Sequence, residues 1–217
     1  QRMNLPPKYK FRLYPDITHN KLCQFVVPWW DNAFALTLGR EAINPRPSQY
    51  TQIHNWYAPY SDGFISYSDG VNDDVNKAIW SRKGWAPESG ARDILIEYAR
   101  LFFGEAVAAR AADGLLALEK NWEGPLATNG AVDGTLASWQ RLEAEVPALQ
   151  GQWRWQQALL RAHYDAYTRH RLLRETDIEQ RANAVMLAAR STGAAAAATR
   201  VRALLAEADT PGPQEAW

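Results

Sequence analysis

One cysteine, Cys23, is all that the 217-residue chain contains. That count excludes an internal disulfide framework and any zinc site built from several cysteines. The apolar run around Cys23 makes it a small buried hydrophobe. A chain without disulfides leaves the compartment open, secreted and periplasmic space included. No apolar run approaches the ~20 residues that cross a bilayer, and the alanine run 194–198 is too short for that role. No excess of charge exists either, because 24 basic side chains balance 24 acidic ones. Neither half carries the long basic run that attracts nucleic acid or an anionic membrane, so neither partner is expected. Missing too are G-x-S-x-G, H-E-x-x-H, a glycine-rich phosphate loop and a dinucleotide fingerprint. No cofactor is implied. A chain that opens on Gln1 and not on methionine raises the expectation of a piece cut from something longer.

What is present divides near residue 90. The first ninety residues hold eight of twelve prolines, six of nine tyrosines and five of ten tryptophans. Beyond them alanine, leucine, arginine and glutamate dominate, the chemistry of strong helix formers. The expected organisation is an α/β region over 1–88, an all-α bundle over 89–209 and a flexible tail over 210–217 around Pro211-Gly212-Pro213.

In the first region, Lys10–Tyr14 alternates polar and apolar up to Pro15, Cys23–Val27 runs to Pro28, and Gly63–Ser68 ends at the Asp69-Gly70 turn signal. These are three candidate strands. Asp31–Gly39 suits a short helix with Phe34 and Leu38 on one face, and Asp73 can start another that runs to Trp80. The second region is simpler. Ser89 can cap a helix up to Gly104 with Ile94, Leu95, Tyr98, Leu101 and Phe102 at three- and four-residue spacing. Glu105–Trp122, Asp133–Val146, Gln152–Glu175, Asp177–Arg190 and Gly193–Ala208 continue the pattern. In the fourth of these, the stripe Trp153, Gln156, Leu160, Tyr164 and Tyr167 is the expected buried face. Five or six helices on short links read as a bundle.

Chemistry-bearing residues cluster in the first region. Asp16 and His19, three apart at a strand end, can form a hydrogen-bonded pair or hold a substrate hydroxyl; the plain alternative is a proline turn capped by Asp16. Trp29 and Trp30 cannot both point inward from a regular strand. One of them is therefore expected in the open, as a platform for a sugar ring or an anchor for a protein partner, unless both pack around a bend. His54, Trp56 and Tyr60 add polar donors among flat rings. Asp69 ends a strand, and Glu41 follows Gly39-Arg40. Asp73 and Asp74 are sequence neighbours and make a poor acid–base pair, since such carboxylates face each other about 5 to 10 Å apart. His163 and His170 share a helix face without clustered ligands, so no metal is expected.

The segments Tyr14-Pro15-Asp16-Ile17-Thr18-His19, Gly39 through Pro47, Gly63 through Trp80, and Trp85-Ala86-Pro87-Glu88 carry a resemblance. Together the stretch from Tyr14 to Phe103 resembles the end of a glycoside hydrolase (β/α)₈ barrel with its following helical domain. The group is that of β-N-acetylglucosaminidase, hyaluronidase-like and α-glucuronidase-like enzymes. The resemblance implies partial barrel elements followed by a helical bundle, with strand ends forming one wall of a sugar cleft. Asp16, His19, Trp29, Trp30, His54, Trp56, Tyr60 and Asp69 are then the carbohydrate contacts, and Asp16, Glu41 and Asp69 the catalytic candidates. In the family the catalytic carboxylates lie on an earlier strand, and no matching pair precedes the first candidate strand here. Turnover would then need the remainder of a longer chain or another subunit. A different class of function fits the same residues: a non-catalytic helical interaction or scaffold protein with an aromatic docking region. An intact small hydrolase using Asp16, His19 and Glu41 is the third reading.

Overall fold

In the computed structural model the chain is helical almost throughout. The structure describes residues 4, 6–18, 27, 29–38, 45–68 and 73–212. In chain order the elements are β1 (Asp16–Thr18), α1 (Asn32–Leu38), α2 (Pro47–Tyr57), β2 (Tyr67–Ser68), α3 (Asp73–Trp85), α4 (Ala91–Phe103), α5 (Ala108–Lys120), α6 (Ala131–Glu145), α7 (Trp153–Leu187), α8 (Ala189–Thr192) and α9 (Ala194–Ala206). Two compact units divide it, Gln1–His163 and Tyr164–Trp217.

The barrel resemblance is overturned. Among the described residues the only sheet is one parallel pair, β1 with β2, of three and two residues. A bridge between Leu13 and Phe64 precedes it, with Leu13 N–H donating to the Gly63 carbonyl at 2.9 Å and Ile65 N–H to that of Leu13 at 3.0 Å. The first and third candidate strands therefore meet, but no barrel, no partial barrel and no layered α/β sheet forms. Proline limits each alternating run to about five residues, and the intervening chain satisfies its backbone within α1 and α2. Of the second candidate strand, only Val27 lies among the described residues.

One helix went unforeseen. Pro47 occupies the first turn of α2, where its missing N–H costs nothing and its fixed φ already suits a helix. α2 buries Tyr50, Ile53 and His54 on the face toward Val75, Ile79 and Trp80 of α3. Ile94, Leu95, Tyr98 and Ala99 of α4 and Ala111, Ala112, Leu115 and Leu118 of α5 extend the same core. Aromatic edges interlock at its centre. Trp139 of α6 and Trp155 of α7 have centroids 4.5 Å apart, and Phe103 meets Trp155 edge-on at 5.3 Å. The buried face of α7 in this unit is thus Trp155, Ala158, Leu159 and Ala162. Trp153 and Leu160, expected inside, are exposed. Two stripes of similar hydrophobicity compete on this helix, and the one with the alanines admits the closer approach. The break expected near Glu175 is absent, and α7 is continuous.

Gly114 sits mid-helix in α5, where glycine costs roughly 1 kcal/mol relative to alanine. Its reason is steric: a Cβ there would lie 3.0 Å from the Trp139 ring. Gly114→Ala is expected to destabilise by about 1–2 kcal/mol, the overpacking penalty exceeding the gain in helix propensity. Urea unfolding measures it, and a stabilised variant would mean the indole moves aside freely.

A buried lysine closes α3. Lys83 Nζ donates to the carbonyls of Pro87 and of Ser89, the latter at 3.2 Å, and burial holds its pKa below the ordinary lysine value. In the second unit, Gly193 at φ 88° reverses the chain between α8 and α9. Arg181 bridges Asp177 at 2.9 Å and Glu207 at 2.7 Å. Ile178, Ala182 and Ala197 supply its buried contacts.

Candidate functional site

The end of α5 is where several pieces of the N-terminal region attach. Glu119 lies in line with the buried Leu115 and Leu118, so its carboxylate is carried inward. There Oε2 accepts the Ser48 N–H and Oε1 the Gln49 N–H, each at 2.9 Å. No side chain local to α2 caps that helix; a residue seventy positions away does so. Burial pushes the Glu119 carboxyl above its ordinary value, while the two N–H donors and the nearby Arg46 pull it down. Arg46 is itself buried. Its guanidinium stands 5.2 Å from the Tyr50 ring, and its backbone N–H donates to Asn76 Oδ1 at 2.8 Å.

Just beyond α5, the fully buried Trp122 is covered by stacked groups. Phe34 of α1 stacks on it at 4.2 Å and 7°, Trp30 at 5.6 Å and 11°, and the Arg161 guanidinium lies 4.2 Å from its centroid. Asp31 completes the attachment. Its Oδ1 accepts the Ala33 N–H, starting α1, and its Oδ2 accepts the Leu126 N–H, both at 2.9 Å.

Between these anchors opens a cavity of about 520 Å³ lined by Val27, Trp29, Arg46, Gln49, Glu119, Glu123 and Gly124. Trp29 stands at its edge, 89% exposed and with φ at 59°. That left-handed backbone is unusual for a bulky side chain and costs on the order of 1–2 kcal/mol. A second cavity of about 550 Å³ lies along α5 and α6, lined mainly by small residues beside Trp139.

The expected site residues are not gathered into one cleft among the described residues. Trp29 lines the cavity and Trp30 joins the Trp122 stack. His54 is buried, edge-on to Phe64 at 6.0 Å and to Trp80 at 5.3 Å. Burial and the neighbouring Lys83 keep it below the usual histidine range. Trp56 and Tyr60, 59% and 55% exposed, lie at the end of α2 and in the turn after it. Asp16 is in β1, where only its backbone is described; His19, Glu41 and Asp69 lie outside the described residues. Asp73 is buried at the start of α3. Asp74 accepts the Tyr98 hydroxyl at 2.7 Å and Arg154 Nε at 2.6 Å, a clamp joining α3, α4 and α7.

Arg46, Glu119 and Glu123 are cavity residues that sequence reasoning passed over. A glutamate inside the apolar stripe of α5 was the available signal for Glu119; Glu123 had none. Among the described residues no group of three or more His, Cys, Asp or Glu is placed to hold a metal, and no helix is long and apolar enough to cross a membrane.

Comparison with the models of known families, with curated proteins and with solved structures gives no match. The glycoside hydrolase assignment, and with it the expectation of a sugar-binding barrel fragment, has no barrel to rest on.

Proposed function

We propose that this chain is a helical interaction module that binds a partner protein through the aromatic surface of its N-terminal region. One observation carries the proposal, the division of the aromatic side chains. Trp80, Trp122, Trp139 and Trp155 are fully buried in the helical core, whereas Trp29, Trp56, Tyr57 and Tyr60 stand in solvent. The ribbon adds to that surface. Leu13 and Phe64 are paired across it and less exposed, while their chain neighbours Tyr14 and Ile65 are exposed. Large rings fixed on short side chains lose little entropy on contact, and tryptophan and tyrosine supply much of the energy of protein interfaces. Leaving this many in water is unfavourable unless something covers them.

Replacing Trp56 and Tyr60 together with alanine tests the reading. Both side chains are exposed, so stability should stay within about 0.5 kcal/mol of the parent. A partner captured by the unaltered chain should bind the double variant at least tenfold more weakly by calorimetry, the minimum for loss of a strong interface anchor at roughly 2 kcal/mol. Equal binding by the two would overturn the proposal.

A further inference from the structure

The cavity at the N-terminus of α2 has a charge and an open ring that its own structural duties do not use. Its lining carries one guanidinium, Arg46, and two carboxylates, Glu119 and Glu123. Arg46 and Glu119 are both buried and electrostatically coupled, and Glu119 already holds two backbone N–H groups. Those two balance each other. Glu123 remains, exposed at the rim, with no side-chain hydrogen bond or ion pair among the described residues. Trp29 lines the same cavity with an indole that stacks on no other described ring.

A flat face beside an uncompensated carboxylate attracts a cation, and a planar one gains most. Guanidinium is weakly hydrated, stacks on an indole and presents a fork of N–H donors to a carboxylate at the same time. An ammonium keeps its water more firmly and has no plane to stack. Gln49, on the cavity wall, has a side-chain carbonyl able to take a further N–H. The chain already forms this type of contact within its own fold, with Arg161 over Trp122 at 4.2 Å and Arg154 over Trp153 at 4.1 Å. A volume of about 520 Å³ is within the range of roughly 300–1,000 Å³ that holds small ligands, ample for an arginine side chain.

We infer that the partner inserts an arginine into this cavity, its guanidinium lying on Trp29 and paired with Glu123. The inference rests on the docking reading and names the chemistry of its central contact.

The probe is N-acetyl-arginine amide, with the neutral, isosteric N-acetyl-citrulline amide as its control. Titration into the isotopically labelled chain should shift the Trp29 indole N–H and the Gln49 side-chain amide saturably. Citrulline should bind at least tenfold more weakly. Glu123→Gln should lose at least tenfold, as should Trp29→Gly, which keeps the left-handed backbone easy to adopt. Trp85→Ala, an exposed tryptophan at the far end of α3, should bind as the parent does. Equal binding of citrulline, retention in Glu123→Gln, or shifts confined to other residues would overturn the inference. The two proposals fail separately. If arginine does not bind but the Trp56 and Tyr60 variant still loses its partner, only the cavity assignment falls. If arginine binds and that variant keeps its partner, only the aromatic docking reading falls.

Discussion

Replacing Trp122 with alanine should cost about 3–5 kcal/mol, the usual range for deleting a large buried ring. It should also loosen one particular segment. The indole is fully buried and stacks with Phe34 at 4.2 Å and Trp30 at 5.6 Å, and Arg161 lies 4.2 Å from its centroid. Removing it leaves a cavity and takes the stacking partner from two rings and a cation together. Alpha-helix α1 has only seven residues, too few to persist on its own propensity. Its hold on the core depends on Phe34 and on Asp31, which remains bound to the Leu126 N–H. Amide exchange should therefore accelerate over Asn32–Leu38 well before it does in α4. Trp122→Phe, which keeps a ring for Phe34 to stack on, should recover more than half of the loss. A cost below about 1 kcal/mol for the alanine variant would show that the surrounding groups close over the site.

The helices after residue 90 were legible because their apolar spacing and their glycine or proline breaks agree. The break expected at Gly104 coincides with a glycine at φ 96°, and α6 ends before Pro147 as anticipated. Legibility failed wherever two readings were locally equal. On α7, Trp153 and Leu160 make as good a stripe as Trp155 and Leu159, and only packing against Trp139 and Phe103 selects the second. Alternation over Lys10–Tyr14 and Gly63–Ser68 does correspond to extended chain that pairs in parallel. Five residues of it carry no information about how many further strands follow, and a barrel was built on too little. Helix α2 was hidden because Gln52, His54, Asn55 and three aromatics give it a weak apolar face; its start was written in Pro47 alone.

The site was still less readable. Adjacent Trp29 and Trp30 do part company, one exposed and one half-buried on Trp122. The groups they meet come from α5 and the turn after it, about ninety residues away, and no spacing rule reaches that far. Glu119 was marked only by being a carboxylate where a hydrophobe was due. Aromatic residues read as a sugar platform serve in part as structural rings, as His54 does against Phe64 and Trp80.

Glu119→Ala should rival the loss of Trp122, at about 3 kcal/mol, since it strips two buried N–H donors of their acceptor and leaves Arg46 without its carboxylate. The effect should centre on α2, whose first turn has no other side-chain cap. Glu119→Gln keeps the shape and is the more informative variant. Its carbonyl can accept one of the two N–H groups, while its amide must face the other, so a loss of about 2 kcal/mol is expected. The pH dependence carries a sign that separates burial from hydrogen bonding. Burial, the largest influence, raises the folded carboxyl above its unfolded value. As pH rises through the carboxylate range the unfolded chain therefore releases its proton first, and the native state loses this part of its stability until Glu119 ionises too. Glu119→Gln has no such proton. The stability gap between the parent and this variant should be widest below the ordinary glutamate pKa and narrow with rising pH, as followed by urea unfolding at a series of pH values. A gap that widens instead would mean that the N–H donors of Ser48 and Gln49, with Arg46, outweigh burial. Glu119 would then be an anion held by the start of α2, and not a costly carboxylate that the fold tolerates in order to fix that helix beside the Trp29 cavity.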